Sequence, residues 1–372
     1  MNLHHLRGAG LAAAAATLLA GCAALDEILA PPPSTPPISD GPVVTAPGQL
    51  SRVHVLPSGT ELHFLEGDAA RQQITNDSRE NYFVHMQPLE LQVKMRRAAR
   101  EGETVEQLRD AFRALKRDSV LPWTDAEVAM LAAAFGELDA QAAATLPGLF
   151  PPVLEIIKTD GADESGAFYT TDRAIVLPEM RLARSARSGN AVPMLRGVLL
   201  HEAAHVWSRL NMRERDRLWA TMGYKRVGPV DEGEFIRARR VSNPDAPTID
   251  HALDLELPDG RRATVTQVLW MDVDAYSDDL PLFGALMRVD LAELEKNGPI
   301  WRVKHDDDGK PVLHAIEDVP AFLDAVSRNT GYMLHPEELA SENIRLVVEG
   351  APGEGERGAE LLAAFKAAWP AK

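Results

Sequence analysis

The chain reads as an α+β protein, on three observations. Helical runs cluster between residues 88 and 144 and return after 319. Short β-rich runs such as "VLEIIKT" (153–159) and "RRATVTQVLWM" (261–271) lie between them, and no regular βαβ alternation joins the two kinds. With 372 residues, 45% hydrophobic and 25% charged, the chain can bury one large core or two ordinary ones. A formal charge of −16, with no Lys/Arg stripe to offset it, argues against nucleic acid as a partner, because phosphate backbones need a basic surface.

The N-terminal stretch "MNLHHLRGAGLAAAAATLLAGCAALDE" has Arg7, an apolar run from Gly8 to Ala20, then Gly21 and Cys22. The run is too short for a bilayer core, so residues 1–21 are expected to be a signal peptide. Leu19-Ala20-Gly21-Cys22 resembles the bacterial lipobox, which implies lipidation of Cys22 and cleavage before it. Cys22 is the only cysteine, so it has no internal disulfide partner. In that pattern Ala23, rather than aspartate, favours the outer membrane facing the periplasm. Residues 22–49, with "APPPSTPPISDGPVVTAP" at 30–47, should form an extended tether. The body is then residues 50–372, with 50–150 as an N-terminal subregion.

Within the body, "RVHVLPSGTELHFLEG" (52–67) alternates apolar and polar residues about Pro57-Ser58-Gly59, a strand–turn–strand signal. Helices follow at Pro88–Glu101, Thr104–Lys116 and Thr124–Ala144, the last opened by the capping box of Thr124 and Glu127. "GAFYTTDRAIVLP" (166–178) reads as a strand that could pair with an extended peptide at a sheet edge. Helical period is weak from Gly223 to Arg262, where "SNPDAP" (242–247) is rich in turn residues. A helix is expected at Leu280–Glu295, a hairpin turned at Asp308-Gly309, and helices at Val319–Arg328, Pro336–Glu349 and Glu356–Trp369. "KHDDDGK" lacks the final glutamate and flanking helices of a calcium loop, so it is read as the hairpin turn.

The chemistry concentrates in "LRGVLLHEAAHVWSRL" (195–210). Apolar residues surround nearly the whole helix, so it should be central and buried, where two histidines and a glutamate are costly unless something compensates them. On a helix, His201 and His205 share a face and can offer two imidazole nitrogens to one zinc ion, with Glu202 in reach of a water the ion activates. Ser208 and Asn211 stand where metzincins carry glycine and a third histidine, so that branch fails. A third ligand is offered far downstream by "YMLHPEELASENIRLVV", where Glu338 and Glu342 lie one turn apart. Glu338 could bind the metal and Glu342 accept the N–H of a ligand histidine. Asp231, Glu232 and Glu234 in "VDEGEF" remain rival third ligands, and Glu337 should point elsewhere on its helix.

These residues resemble the gluzincin branch of zinc metallopeptidases, whose thermolysin-like members carry H-E-x-x-H on one helix and E-x-x-x-D on a second. Here the match is His201, Glu202, His205, Glu338 and Glu342, with Glu in place of Asp at the last position and a longer connection between the helices. "SNPDAP" followed by "HPEELASEN" is also similar to a group of bacterial zincin-like proteins, over residues 75–350. The resemblance implies a zincin-like fold and a lipid-anchored peptidase in which Glu202 is the catalytic base. Peptide or protein substrates would be met in the cell envelope. It also implies an oxyanion donor, for which Tyr332, His335, Tyr224 and Tyr276 are available. The rival expectations are a zinc-binding lipoprotein without turnover and an envelope scaffold with an incidental H-E-x-x-H.

Overall fold

We describe residues 52–187 and 191–370 of the chain, from a computed structural model. The expected signal peptide, Cys22 and the 22–49 tether lie outside them. The first strands, β1 (Arg52–Val55) and β2 (Glu61–Leu65), form the expected hairpin, and Gly59 at its turn takes a φ of 93°, open to glycine and strained for other residues. Five helices follow: α1 (Gly67–Gln73), α2 (Tyr82–His85), α3 (Pro88–Met95), α4 (Val105–Asp118) and α5 (Asp125–Thr145), with β3 (Val120–Leu121) before the last. Capping boxes start α4 at Thr104/Gln107 and α5 at Thr124/Glu127, each satisfying a backbone N–H the first turn cannot. The α3 helix stops six residues short of the expected Glu101, because Arg96 enters the left-handed region at φ 53°.

Strands β4 (Val153–Thr159) and β6 (Ala174–Pro178) run parallel to β2, so α1–α5 are the crossover that parallel pairing requires. The sheet order is β1-β2-β4-β6-β5, with β3 on β4. The expected single strand "GAFYTTDRAIVLP" is in fact a hairpin: β5 (Tyr169–Thr171) folds back antiparallel on β6, with Asp172 at positive φ in the turn, and β5 is the sheet edge.

Two helices, α6 (Glu179–Arg187) and α7 (Ala191–Leu210), then α8 (Met212–Thr221), lead into a second sheet. It comprises β7 (Lys225–Arg226), β8 (Val230–Asp231), β9 (His251–Glu256), β10 (Arg262–Met271), β11 (Met287–Asn297), β12 (Ile300–Val303) and β13 (Leu313–Ala315), in the order β7-β9-β10-β11-β12-β8 with β13 on β11. Short helices α9 (Gly233–Arg239) and α10 (Phe283–Leu286) sit between strands. The expected helix at Leu280–Glu295 is therefore largely strand. "LAELEK" favours helix locally, but β10 and β13 claim its backbone, and Glu293 is buried against Arg261, Lys304 and His314. Asp308-Gly309 does turn the chain, though its flanking strands pair chiefly with β11.

The chain closes with α11 (Pro320–Val326), α12 (Pro336–Glu349) and α13 (Gly355–Ala368), all close to the expected positions. One large core joins both sheets to α5, α7, α12 and α13, including Leu154, Leu199, Leu200, Ala204, Leu253, Leu291, Leu339 and Phe365. Truncating Leu199 or Leu200 there would cost about 2–5 kcal/mol. Trp207 stacks on Trp369 at 4.0 Å between ring centroids, pinning the end of α7 to the chain's last helix. Because α7 packs against both α5 and α12, His201 and His205 are turned onto the acids of α12 rather than toward solvent.

Candidate metal centre

The four-residue spacing on α7 puts both imidazoles on the α12 side, with ring centroids 4.5 Å apart. His201 Nε2 lies 2.9 Å from His205 Nε2 and 3.1 Å from Glu338 Oε2, and His205 Nε2 lies 3.4 Å from the same oxygen. In a tetrahedral site with bonds of about 2.0 to 2.1 Å, adjacent ligand atoms are roughly 3.3 Å apart. The triangle matches that spacing, so these three residues could hold a metal ion.

The outer nitrogens decide which lone pairs face inward. His201 Nδ1 donates to Glu342 Oε1 at 2.9 Å, and His205 Nδ1 donates to Glu337 Oε1 at 2.9 Å, with Ser341 Oγ also at 2.9 Å. With Nδ1 protonated in each neutral ring, both Nε2 atoms are bare acceptors turned on each other and on a carboxylate oxygen. Three acceptors at such distances need a cation or extra protons between them. Burial and the neighbouring His205 push the His201 imidazole toward its neutral form, but hydrogen bonds to Glu338 and Glu342 outweigh them and raise its pKa to about 10. His205 is raised as well: burial opposes its charge, while Asp245, Glu338 and Glu337 favour it. Glu338 is held well below the usual carboxylate range, burial notwithstanding, by the two histidines. The cluster is a pre-formed demand for positive charge.

Five carboxylates converge here, from Glu202, Glu337, Glu338, Glu342 and Asp245, against the guanidiniums of Arg209, near Asp245, and Arg345, on Glu342. Glu202 has one carboxylate oxygen buried without a hydrogen-bond partner. Burial, then the charge of Asp245, lifts its pKa to about 8. A carboxyl near neutrality can both take and return a proton.

Of the residues singled out by sequence, His201, Glu202, His205, Glu338 and Glu342 meet as expected. Glu337 does not point elsewhere; it holds the second histidine, in the i, i+4 relation to Ser341 that Glu338 has to Glu342. Asp231 and Glu234 pair with Arg237, and Glu232 with Arg240, so none of the three joins the cluster. Among the expected oxyanion donors, Tyr332 is beside the site, its ring centroid 5.9 Å from that of His201. His335 is instead the cap of α12: its Nδ1 accepts from the Glu337 N–H at 3.1 Å and its Nε2 donates to the Thr248 carbonyl at 3.2 Å. Tyr224 donates to Gln267, and Tyr276 packs in a separate cluster with Leu89 and Met271.

Two further residues come from "SNPDAP". Asn243 Nδ2 donates to Glu338 Oε1 at 2.6 Å, and Asp245 Oδ1 accepts from the Thr170 N–H at 2.7 Å and its hydroxyl at 2.5 Å. Arg209, one turn beyond His205, holds the carbonyls of Pro244 and Asp245. The expected docking edge on β5 is thus already engaged at Thr170 by this turn. The cluster is deeply set: His201 is 9% exposed, Glu202 4%, His205 1% and Glu338 2%. Only clustered turn residues at 242–247 hinted at this, because side chains reaching across a fold leave no periodic signal. In comparisons with known proteins, the chain matches no protein family, no curated protein and no solved structure.

Proposed function

We propose that the protein is a zinc-dependent hydrolase of the gluzincin kind, with a zincin-like fold, acting on peptide bonds in the cell envelope, where Cys22 would anchor it through lipid. The observation that supports this most is the triangle of His201 Nε2, His205 Nε2 and Glu338 Oε2, with both Nδ1 atoms held by carboxylates. Imidazole–imidazole–carboxylate is a donor set suited to zinc, and the outer carboxylates fix the ring tautomers as such sites require.

When bound, zinc would supply a Lewis acid and lower the pKa of a coordinated water toward neutrality. The remaining work falls to side chains. Glu202, carrying a partnerless buried oxygen, takes the proton from the attacking water and passes it to the leaving amine. Glu337 and Glu342 keep the imidazoles from rotating. Tyr332, its ring 5.9 Å from that of His201, is the tyrosine placed to offer a hydroxyl to a developing oxyanion. Zinc content by elemental analysis, with cleavage of a quenched fluorescent peptide library by parent and Glu202→Gln proteins, tests the reading. One zinc per chain with cleavage lost in the variant is expected, and a parent that takes up no zinc would sink it.

A second reading, a zinc lipoprotein without turnover, is favoured by the low exposure of the ligands and by Asp245 engaging Thr170 on the sheet edge. Failure of acetohydroxamate to perturb the visible spectrum of the cobalt(II)-loaded parent would favour it, since a closed centre has no open coordination position.

A further inference from the structure

Resting on the metal reading above, we propose that Asn243 is a positioning residue that restricts Glu338 to single-oxygen coordination and thereby biases the centre toward a small tetrahedral ion. The two oxygens of Glu338 have separate partners. Oε2 faces both imidazole Nε2 atoms, at 3.1 and 3.4 Å, whereas Oε1 accepts the Asn243 amide at 2.6 Å. An oxygen tied to an amide N–H at that distance is directed away from an ion in the triangle. A carboxylate left free on both sides can chelate, and chelation raises the coordination number that larger oxygen-seeking cations prefer.

Asn243 is itself held in place. Its Oδ1 accepts the Asp245 N–H at 3.0 Å, which fixes which end of the amide points to Glu338. On its N-terminal side Ser242 is locked by Glu90, wholly buried, through its N–H at 2.7 Å and hydroxyl at 2.9 Å. On its other side Asp245 grips Thr170, and Arg209 grips two carbonyls. The turn is therefore a rigid mount that brings one amide from the second-sheet insertion to a ligand on α12. Aspartate at 243 would preserve the acceptor for the Asp245 N–H while opposing Glu338 with a carboxylate, so it separates the contact from the turn.

The test uses the full chain and three variants, Asn243→Ala, Asn243→Asp and His201→Ala. Zinc dissociation constants are measured by chelator competition, and coordination number is read from the visible absorption of cobalt(II)-loaded protein. The expected result for Asn243→Ala is zinc binding 10- to 100-fold weaker, the range typical when a partner of a metal ligand is lost. Its cobalt bands should lose intensity as the centre gains a fifth ligand. Asn243→Asp should bind zinc more weakly still, with the unfolding temperature of its metal-free form within a few degrees of the parent. Zinc affinity within twofold of the parent and an unchanged cobalt spectrum in both variants would overturn the role of Asn243. Zinc binding that survives His201→Ala undiminished would instead overturn the metal reading, and this proposal with it.

Discussion

Glu337 accepts the Nδ1–H of His205 at 2.9 Å, while the next residue, Glu338, faces the other nitrogen of the same ring at 3.4 Å. Adjacent acids on α12 thus grip opposite ends of one imidazole. Replacing Glu337 by Gln keeps an acceptor but loses the charge that favours a basic Nε2. Zinc affinity should fall about 10-fold, and about 100-fold in Glu337→Ala. Chelator competition measures both, and equal affinities across the series would mean that Ser341 alone orients His205.

Glu202→Gln is close to isosteric and leaves His201, His205 and Glu338 in place, so it should retain zinc; loss of zinc would instead assign the ion to Glu202, His205 and Asp245, which also lie close enough to hold one. Under the proposed hydrolysis, peptide turnover should drop by about 10²- to 10⁴-fold, the loss expected when a general base is removed. Single-turnover kinetics at saturating peptide would expose the effect on chemistry rather than on binding. A variant that cleaves like the parent would remove Glu202 from the reaction.

Asp245→Ala would strip the Thr170 N–H and hydroxyl of their acceptor in a buried setting. A loss of about 1–3 kcal/mol is expected in urea unfolding, whereas Asp245→Asn, which keeps a carbonyl oxygen, should lose less. If both lose equally, the carboxylate charge opposite Arg209 matters more than the two hydrogen bonds.

Glu164 and His85 each lose stabilising free energy in acid, in different windows. Glu164, buried between Lys94 Nζ at 2.7 Å and Lys116 Nζ at 2.8 Å, is held at a pKa of about 2 because the two ammonium charges outweigh its burial. A folded pKa depressed below the ordinary 4.5 contributes stability above pH 4.5 that is lost as pH falls toward 2. His85, kept near 4 by burial and by Arg240 and Arg109, is neutral when folded at pH values where the unfolded chain already takes up a proton. Its share is present above pH 6.5 and lost as pH falls to 4. Because Glu202, raised to about 8, works in the opposite sense across the upper window, each step is read as a difference between parent and variant: the stability difference between the parent and His85→Gln should shrink as pH falls from 6.5 to 4. Glu164→Gln should be about 3–5 kcal/mol less stable at neutral pH, since it removes the one carboxylate paired with buried Lys116 while Lys94 keeps Glu90 at 3.3 Å, and should lose the lower step.

At the start of α5, Thr124→Ala removes a side-chain acceptor for the Glu127 N–H and half of the capping box. About 1 kcal/mol should be lost, visible as a lower urea midpoint with an unchanged slope. A silent substitution would mean that packing of α5 against α7 dominates its N-terminus.

The sequence alone determined what depends on local periodicity and spacing. The α+β class, the capping box at Thr124, the full extent of α12, the turn at Gly59 and the facing of His201 and His205 all follow from neighbours within a few residues, as does the pairing of Glu338 with Glu342 on one helical stripe. The tertiary structure decided what depends on distant partners. "LAELEK" became strand because β10 and β13 flank it, and "GAFYTTDRAIVLP" became a hairpin whose outer edge meets Asp245. The long connection between His205 and α12 proved to be the second sheet, and its 242–247 turn returns Asn243 to Glu338. Side chains that meet across more than ninety residues share no repeat in the chain. Only the packing of α7 against α12, driven by burial of their apolar faces, brings the acids of one to the imidazoles of the other.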